Sequence, residues 1–163
     1  MQRCTPERRL HHLSGIEICL SFVGMIQVVC AIIERGGYVL AARRGPDMRH
    51  PWKWEFPGGK VEAGESPKEA LKRELVEELS VRVDIIEALP PVKYDYPDLS
   101  IELCPFRCEW TGGEPLPDEH AETVWMDPAG LLSLDFAEAD VIVAEAYMAK
   151  FQGGGHQTER PLF

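Results

Sequence analysis

The chain has 163 residues, of which 45% are hydrophobic and 27% charged, a composition typical of one globular domain rather than of a disordered or fibrous chain. Its 17 Lys and Arg against 27 Asp and Glu give a formal net charge of -10, which argues against binding to a nucleic-acid polymer. The five cysteines include no CxxC pair, so we expect neither a disulfide framework nor a structural zinc site, but reduced thiols in the cytoplasm.

The two ends of the chain show no sustained helix or strand periodicity. Residues 1–24 are predicted to be a flexible N-terminal extension, and residues 153–163, which begin with three glycines, a flexible tail. The longest uncharged stretch, residues 18–33, is shorter than the roughly 20 apolar residues that a membrane-spanning helix needs. We therefore expect one domain over residues 25–152 and no association with a membrane.

Within this domain, strand patterns alternate with helix patterns. A β-branched run predicts a strand at residues 26–33, which a Gly36-Gly37 turn joins to a second strand at residues 38–42. After a polar loop, a short strand is expected at residues 54–56. Four later segments also have strand character: residues 81–88, 92–96, 100–110 and 123–126. This order predicts an α+β fold in which helices cover both faces of a mixed sheet.

Capping residues mark the helix starts. Ser66, followed by Pro67 and by Glu69 three residues after the cap, predicts a helix that ends near Leu79. Asp127-Pro128 indicates a second cap and a short helix. A final amphipathic helix is predicted at residues 140–151, with Asp140 as its N-cap.

Three carboxylates lie on one side of the first helix. At about 100° per residue, Glu74, Glu77 and Glu78 fall within an arc of about 100°. An apolar stripe, formed by Leu71, Leu75 and Leu79, lies beside them. We therefore expect the carboxylates to lie close to the protein body. Like charges at this spacing repel, and clustered carboxylate oxygens are ligands for the hard cations Mg²⁺ and Mn²⁺. A solvated acidic surface is the alternative interpretation.

The complete spacing of this segment resembles the Nudix box, Gly-x5-Glu-x7-Arg-Glu-(apolar)-x-Glu-Glu-x-Gly-(apolar). The matching residues are Gly59, Glu65, Arg73, Glu74, Leu75, Glu77, Glu78 and Val81. Ser80 stands where the family has Gly, and it is expected to alter the turn that ends the helix without removing a ligand. The resemblance, which extends over residues 25–151, implies the Nudix α/β/α sandwich with a mixed β-sheet and an enzyme of the MutT type.

The resemblance also implies roles for single residues. Glu74, Glu77 and Glu78 would be catalytic metal ligands, joined by the Gly59 carbonyl and by Glu119, which either binds metal or acts as a base toward water. Glu65 and Arg73 would orient the helix and its loop. The substrate contacts that it implies are Arg44, Lys60 and Asp140. The alternatives are a surface ion pair for Glu65 and Arg73, and solvated loop residues for Glu119 and Arg44.

Asp140 occupies the position that contacts the nucleobase in the MutT branch, where an Asn is associated with 8-oxoguanine. A carboxylate accepts hydrogen bonds and would suit the amino group of cytosine, whereas a protonated carboxyl group could donate to a carbonyl. The resemblance thus implies an Mg²⁺-dependent hydrolase, with Mn²⁺ as a substitute, that converts a nucleoside triphosphate such as 8-oxo-dGTP to the monophosphate and pyrophosphate.

Several alternatives remain open from the sequence. A CTP or 5-methyl-dCTP pyrophosphatase, or a hydrolase of a nucleoside diphosphate derivative such as ADP-ribose, would use the same chemistry. A binding module that has lost catalysis is the alternative of a different class, but such a module would have no need of clustered, mutually repelling acids. The expected partner is a small nucleotide, and either a monomer or a homodimer is compatible with the sequence.

Overall fold

The computed structural model describes residues 24–151, so the predictions for the chain ends before and after this range lie outside the described residues. The elements in chain order are β1 (Ile26–Arg35), β2 (Tyr38–Arg43), β3 (Trp54–Glu55), β4 (Gly58–Lys60), α1 (Pro67–Leu79), β5 (Arg82–Ala88), β6 (Val92–Tyr96), β7 (Leu99–Gly112), β8 (Glu122–Met126), a 3₁₀ helix (Pro128–Ser133) and α2 (Glu138–Phe151). Every predicted strand and helix is present, with bounds that differ by a few residues, and β4 is an additional strand.

The strands form one mixed sheet whose main order is β3-β2-β1-β7-β5. At its centre, β1 and β7 pair in parallel from Ile26 opposite Ile101 to Glu34 opposite Glu109. The other named strand pairs are antiparallel, including β4 with β1, β8 with β2 and β6 with β7. The residues that extend β1 and β7 beyond their predicted bounds pair with other strands: Arg35 with β2, Leu99 with β6 and Gly112 with β5.

The two faces of the sheet are covered by different helices. Alternate residues of β1 point to opposite faces, so Val29, Ala31 and Ile33 join the cluster under α1. Cys30 and Ile32 join the second cluster, which α2 covers. The leucine stripe of α1 is buried, as predicted. This arrangement confirms the expected α+β fold with a mixed sheet between helices.

The ends of α1 follow from local hydrogen bonds. Ser66 and Glu69 form the predicted capping box, in which each side chain accepts a hydrogen bond from the other residue's backbone N–H. At the other end, Ser80 adopts the left-handed conformation, with φ 58° and ψ 28°, and its N–H donates to the carbonyls of Leu75 and Val76. Ser80 therefore keeps the turn that a glycine would make, and the expectation that it alters this turn is wrong.

The start of α2 also differs from the prediction. The helix begins at Glu138, so Asp140 lies in its first turn and is not its N-cap. The earlier start follows from two backbone bonds of Ala137: its N–H donates to Trp54 and its carbonyl accepts from Val141. The 3₁₀ helix is capped as predicted, since the Asp127 carboxylate accepts from the N–H of Ala129 at 2.9 Å.

Two further predictions concern thiols and membranes. Cys30, Cys104 and Cys108 are free thiols in β1 and β7, so Cys104 and Cys108 lie in a strand, as expected. In the stretch from residue 24 to 151, neither helix has the length and apolar character needed to cross a bilayer.

Candidate active site

A cavity of about 540 Å³ opens where β1, β4 and α1 meet. Acidic residues from several segments line it, together with three basic residues: Glu55, Glu62, Glu74, Glu78, Glu119, Asp140, Arg44, Arg49 and Lys60. Apolar and aromatic side chains of β1, β6 and β7 complete the lining, among them Val28, Tyr96, Leu99 and Ile101. The structure therefore brings together, in one cavity, side chains that are far apart in the sequence.

Gly58 and Gly59 let the backbone of β4 approach its neighbours closely. A Cβ on Gly58 would collide with the Val29 carbonyl of β1, and a Cβ on Gly59 would collide with the carboxylate of Glu74. A side chain at position 58 would push β4 away from β1, whereas a side chain at position 59 would displace the Glu74 carboxylate. The Gly59 backbone consequently lies next to a cavity carboxylate, where its carbonyl can serve as a further oxygen ligand.

Glu78 lies at the centre of the carboxylate cluster. Burial, together with the negative charges of Glu74, Glu55 and Glu119, raises the pKa of Glu78 to about 7 against the opposing effect of His120. A half-buried carboxyl group among other carboxylates favours either a proton or a cation beside it. The donor set, which consists of carboxylate oxygens and a backbone carbonyl, suits a hard divalent cation.

Arg73 of α1 contacts three acidic side chains, one in the loop before the helix and two in the helix itself. Its guanidinium donates twice to Glu65, at 2.6 and 3.1 Å, and also to Glu74 at 2.9 Å and Glu77 at 3.3 Å. The hydrogen bond from Arg73 lowers the pKa of Glu65, which also accepts from the backbone of Glu62. The predicted Glu65–Arg73 pair is thus present and joins α1 to the preceding loop.

The carboxylates expected to bind metal do not surround a single point. Within residues 24–151, no three Asp, Glu, His or Cys side chains stand close enough together to hold a metal ion as they are arranged. Glu77 does not line the cavity; its side chain is 61% exposed, so the expectation that it lies close to the protein body is wrong.

Arg44 is half-buried and hydrogen-bonded rather than a solvated loop residue. Its Nε donates to Glu55 at 2.7 Å and its Nη1 donates to the Arg49 carbonyl at 2.9 Å. Only 17% of the Arg44 side chain is exposed, and it lines the cavity together with the exposed Lys60. Both cations are therefore placed where an anionic ligand could reach them.

Sequence reasoning missed Glu55 and the contact that His120 makes with it. Glu55 lies in β3, and its Oε1 is 2.9 Å from Nε2 of His120. Burial alone would lower the pKa of His120, but the hydrogen bond and charge of Glu55 and the charge of Glu78 outweigh it and raise the pKa. A lone carboxylate between Trp54 and Phe56 was a usable signal for Glu55, whereas His120 had none beyond its place next to Glu119.

Asp140 is 4% exposed, although it lines the cavity. Its Oδ1 accepts a hydrogen bond from the backbone N–H of Phe56 at 2.9 Å. Burial, together with the charge of Glu55, raises the pKa of Asp140 to about 7. Near neutral pH this carboxyl group is therefore balanced between a form that only accepts hydrogen bonds and a form that also donates one.

The rings of His50 and Tyr96 line the same cavity as Asp140, and the Tyr94 ring packs against Tyr96. The ring centroids of His50 and Tyr96 are 4.8 Å apart, and those of Tyr94 and Tyr96 are 4.6 Å apart. The Tyr96 hydroxyl accepts from the N–H of Ala139, which places this ring next to the start of α2. A planar ligand ring could pack against these aromatic side chains.

Comparisons with known proteins agree with this geometry. The family model described as NUDIX domain matches residues 25–147. The chain is 38% identical over 125 residues to the CTP pyrophosphohydrolase of Escherichia coli, covering 77% of this chain and 93% of that protein. It is 34% identical over 116 residues to the 8-oxo-dGTP diphosphatase of the same organism, covering 71% of this chain and 90% of that protein.

Solved structures give the same result for the fold. The chain superposes on the E. coli ORF135 protein with a TM-score of 0.69 and 38% identity, covering 77% of this chain and 89% of that one. For the MutT protein of Methanosarcina mazei the TM-score is 0.70 and the identity 25%, with coverage of 77% and 94%.

Proposed function

The chain belongs to the NUDIX domain family, and we propose that it is a MutT-type hydrolase that converts a nucleoside triphosphate to the monophosphate and pyrophosphate. The observation that carries this proposal is the convergence of Glu74, Glu78 and Glu119 beside Gly59, in a cavity that Arg44 and Lys60 also line. A relative named CTP pyrophosphohydrolase and one named 8-oxo-dGTP diphosphatase support the same chemistry. The proposed role is the removal of damaged nucleotides from the cytoplasmic pool.

The proposed cofactor is Mg²⁺, with Mn²⁺ as a substitute. Glu74, Glu78, Glu119 and the Gly59 carbonyl would hold it, and Glu77 would join them after its release from Arg73. When bound, a divalent cation neutralises phosphate oxygens and makes a bound water more acidic. The carboxylate cluster around Glu78 fits this requirement, because such a cluster needs positive charge.

The remaining roles belong to side chains of the chain itself. Lys60 and Arg44 would bind the phosphate groups, because each places positive charge at the cavity wall. Glu119, when it is not a ligand, would accept the proton of the attacking water. Glu65 would hold Arg73, and through it the loop before α1, in the orientation in which Gly59 faces Glu74.

An oxidised purine triphosphate such as 8-oxo-dGTP is the proposed preferred substrate. The aromatic pair His50 and Tyr96 lines the cavity and suits a planar base. CTP or 5-methyl-dCTP is the second candidate, because an ionised Asp140 would accept from the amino group of cytosine. In both cases Asp140 is the proposed contact to the base.

The test is hydrolysis of a nucleotide panel, with pyrophosphatase added and phosphate measured, by the wild type and by Glu78→Gln. This substitution preserves volume but removes a charge, so we expect normal folding and a turnover at least about 10²-fold lower. Glu145→Gln, an exposed residue of α2 outside the cavity, is the matched control and should retain full activity.

Activity of Glu78→Gln within a few-fold of the wild type at limiting Mg²⁺ would contradict the assignment of the acidic cluster as catalytic. A wild type that hydrolyses no nucleotide of the panel would contradict the proposed activity itself. Thermal unfolding of all three proteins shows whether a loss of turnover comes from misfolding.

A further inference from the structure

The loop between β7 and β8 carries Glu119 and buries few of its own side chains. Of residues 113–121, all of which the structure describes, only His120 is buried. Glu119 itself is exposed, although it lines the cavity. The position of the Glu119 carboxylate is therefore set by the way the loop is attached to the protein.

His120 supplies the side-chain attachment. Its side chain is only 1% exposed, and Nε2 lies 2.9 Å from Oε1 of Glu55. The other carboxylate oxygen of Glu55 accepts from Nε of Arg44 at 2.7 Å. Glu55 thus joins His120 to the segment that follows β2, through two short hydrogen bonds in a half-buried place.

Backbone contacts on both sides of His120 bring the loop against that same segment. The N–H of Ala121 donates to the Arg43 carbonyl at 2.8 Å. A Cβ on Gly45 would collide with the carbonyl of Glu119, so the two backbones are in close contact. Asp118 lies further from its partner, with its N–H 3.4 Å from the Glu78 carbonyl. Residues 119–121, with His120 in the middle, thus attach one end of the loop to the segment after β2, whereas Leu116 and Asp118 attach the rest of it to the end of α1.

The hydrogen-bonding state of His120 fits a purely positioning role. Its Nδ1 is buried and has no hydrogen-bond partner among the described residues. Among the described residues, the hydrogen bond between Nε2 and Glu55 is therefore the one that the ring makes. Loss of this bond would leave the buried ring without a hydrogen bond and Glu55 Oε1 without His120 as its partner.

We propose that His120 is a positioning residue that, through its hydrogen bond to Glu55, holds Glu119 over the cavity in the geometry needed for metal-dependent hydrolysis. This inference rests on the proposed function and extends it to a residue outside the acidic cluster. His120 acts through Glu119 and Glu55 and does not itself touch the substrate.

Two substitutions separate the hydrogen bond from the bulk of the ring. His120→Leu fills the buried site with an apolar side chain and leaves Glu55 Oε1 without its partner. His120→Gln can place an amide N–H near the position of Nε2 and so restore the bond. Tyr147→Phe is the matched control, since it removes one hydrogen bond to a half-buried carboxylate, that of Glu34, outside the cavity.

The first readout is Mn²⁺ affinity, measured by electron paramagnetic resonance without nucleotide. Loss of a residue that orients a metal ligand typically weakens metal binding roughly 10–100-fold, and we expect a loss of this size in His120→Leu. His120→Gln should recover most of the affinity, and Tyr147→Phe should match the wild type. Equal affinities in His120→Leu and the wild type would overturn the proposal.

The second readout is kinetic and shows whether His120 acts through Glu119. We expect His120→Leu to lower kcat by about tenfold or more with little change in the KM for nucleotide. In a Glu119→Gln background the same substitution should cause little further loss, because the carboxylate that it positions is already absent. Equal losses in both backgrounds would overturn the proposal.

The outcomes also separate this inference from the proposed function. If the wild type hydrolyses no nucleotide, the proposed function fails, while the Mn²⁺ titration still tests His120. If His120→Leu does not fold, His120→Gln carries the test: Mn²⁺ affinity and kcat near those of the wild type support the proposal. A folded His120→Gln that loses both by tenfold would contradict it.

Discussion

The Asp140 carboxyl group combines two properties that determine how a base can be recognised. One oxygen accepts from the Phe56 backbone, and the group lines the cavity next to the aromatic wall. We expect the other oxygen to contact the nucleobase. Because the pKa of Asp140 is about 7, the group can meet either an amino group or a carbonyl of a base.

The first prediction at this scale concerns base preference. Asp140→Asn exchanges one oxygen for an amide donor at nearly constant volume, and it can keep the acceptor for Phe56. The ratio of kcat/KM for 8-oxo-dGTP over that for dCTP should shift by about tenfold or more, the scale of one base contact of ~1–3 kcal/mol. An unchanged ratio with normal thermal unfolding would mean that the base is recognised elsewhere.

The second prediction concerns pH. Since the pKa of Asp140 is raised in the folded protein, its protonated form stabilises the fold at acidic pH, and this stabilisation is lost as the pH rises from about 4 through 7. The free energy of unfolding of the wild type should therefore fall between pH 5 and 8 by about 2–3 kcal/mol more than that of Asp140→Asn. Urea denaturation at both pH values measures this difference, and parallel curves for the two proteins would contradict it.

The sequence was sufficient to place some cavity residues and insufficient for others. Glu74 and Glu78 follow from helical spacing beside a leucine stripe, and Glu119 and Asp140 from resemblance alone; all four line the cavity. The contact between Glu55 and His120 spans 65 positions in the chain. It depends on β2 pairing with both β3 and β8, which no local pattern specifies.

At the scale of single elements, hydrogen-bonding partners explain the differences from prediction. The glycines of β4 have low strand propensity, and this strand exists because it pairs with β1. The start of α2 moved from Asp140 to Glu138 because of the long-range bond from Ala137 to Trp54. By contrast, the start and end of α1 were predicted correctly, since its cap and leucine stripe are local signals.

The end of α1 yields the third prediction. Ser80 is in the left-handed conformation, which costs an L-residue roughly 1–2 kcal/mol, whereas a glycine adopts it without steric cost. Ser80→Gly should raise the free energy of unfolding by about 0.5–1 kcal/mol and leave turnover unchanged. Chemical denaturation measures this gain.

Gly113 provides the matched comparison for Ser80. It also has a positive φ, of 84°, and a Cβ at this position would collide with the Ser80 carbonyl. Gly113→Ala should therefore destabilise the protein under the conditions in which Ser80→Gly stabilises it. A destabilised Ser80→Gly would mean that the serine side chain makes a stabilising contact at this turn.

At the scale of the whole molecule, the fold class could be predicted but the order of the strands could not. Alternating helix and strand patterns predict a mixed sheet between helices, and the two hydrophobic clusters on its faces confirm it. The parallel pairing of β1 with β7 joins segments that are more than 60 residues apart. Such pairings depend on the packing of the complete core, which the periodicity of each strand does not specify.

The last prediction concerns the domain boundaries, residues 25–152. The ladder between β1 and β7 begins at Ile26, opposite Ile101, and the NUDIX match covers residues 25–147. A protein limited to residues 25–152 should therefore keep the unfolding free energy to within about 1 kcal/mol and the full turnover, since it retains the complete sheet and both helices. Removal of residues 1–30 is the control; it deletes half of β1 and should abolish folding. Size-exclusion chromatography, urea denaturation and nucleotide hydrolysis are compared for the full chain and both deletions. If loss of residues 1–24 alone makes the protein insoluble or changes its oligomeric state, that segment contributes to the sheet or to a contact between copies, and the domain begins earlier than proposed.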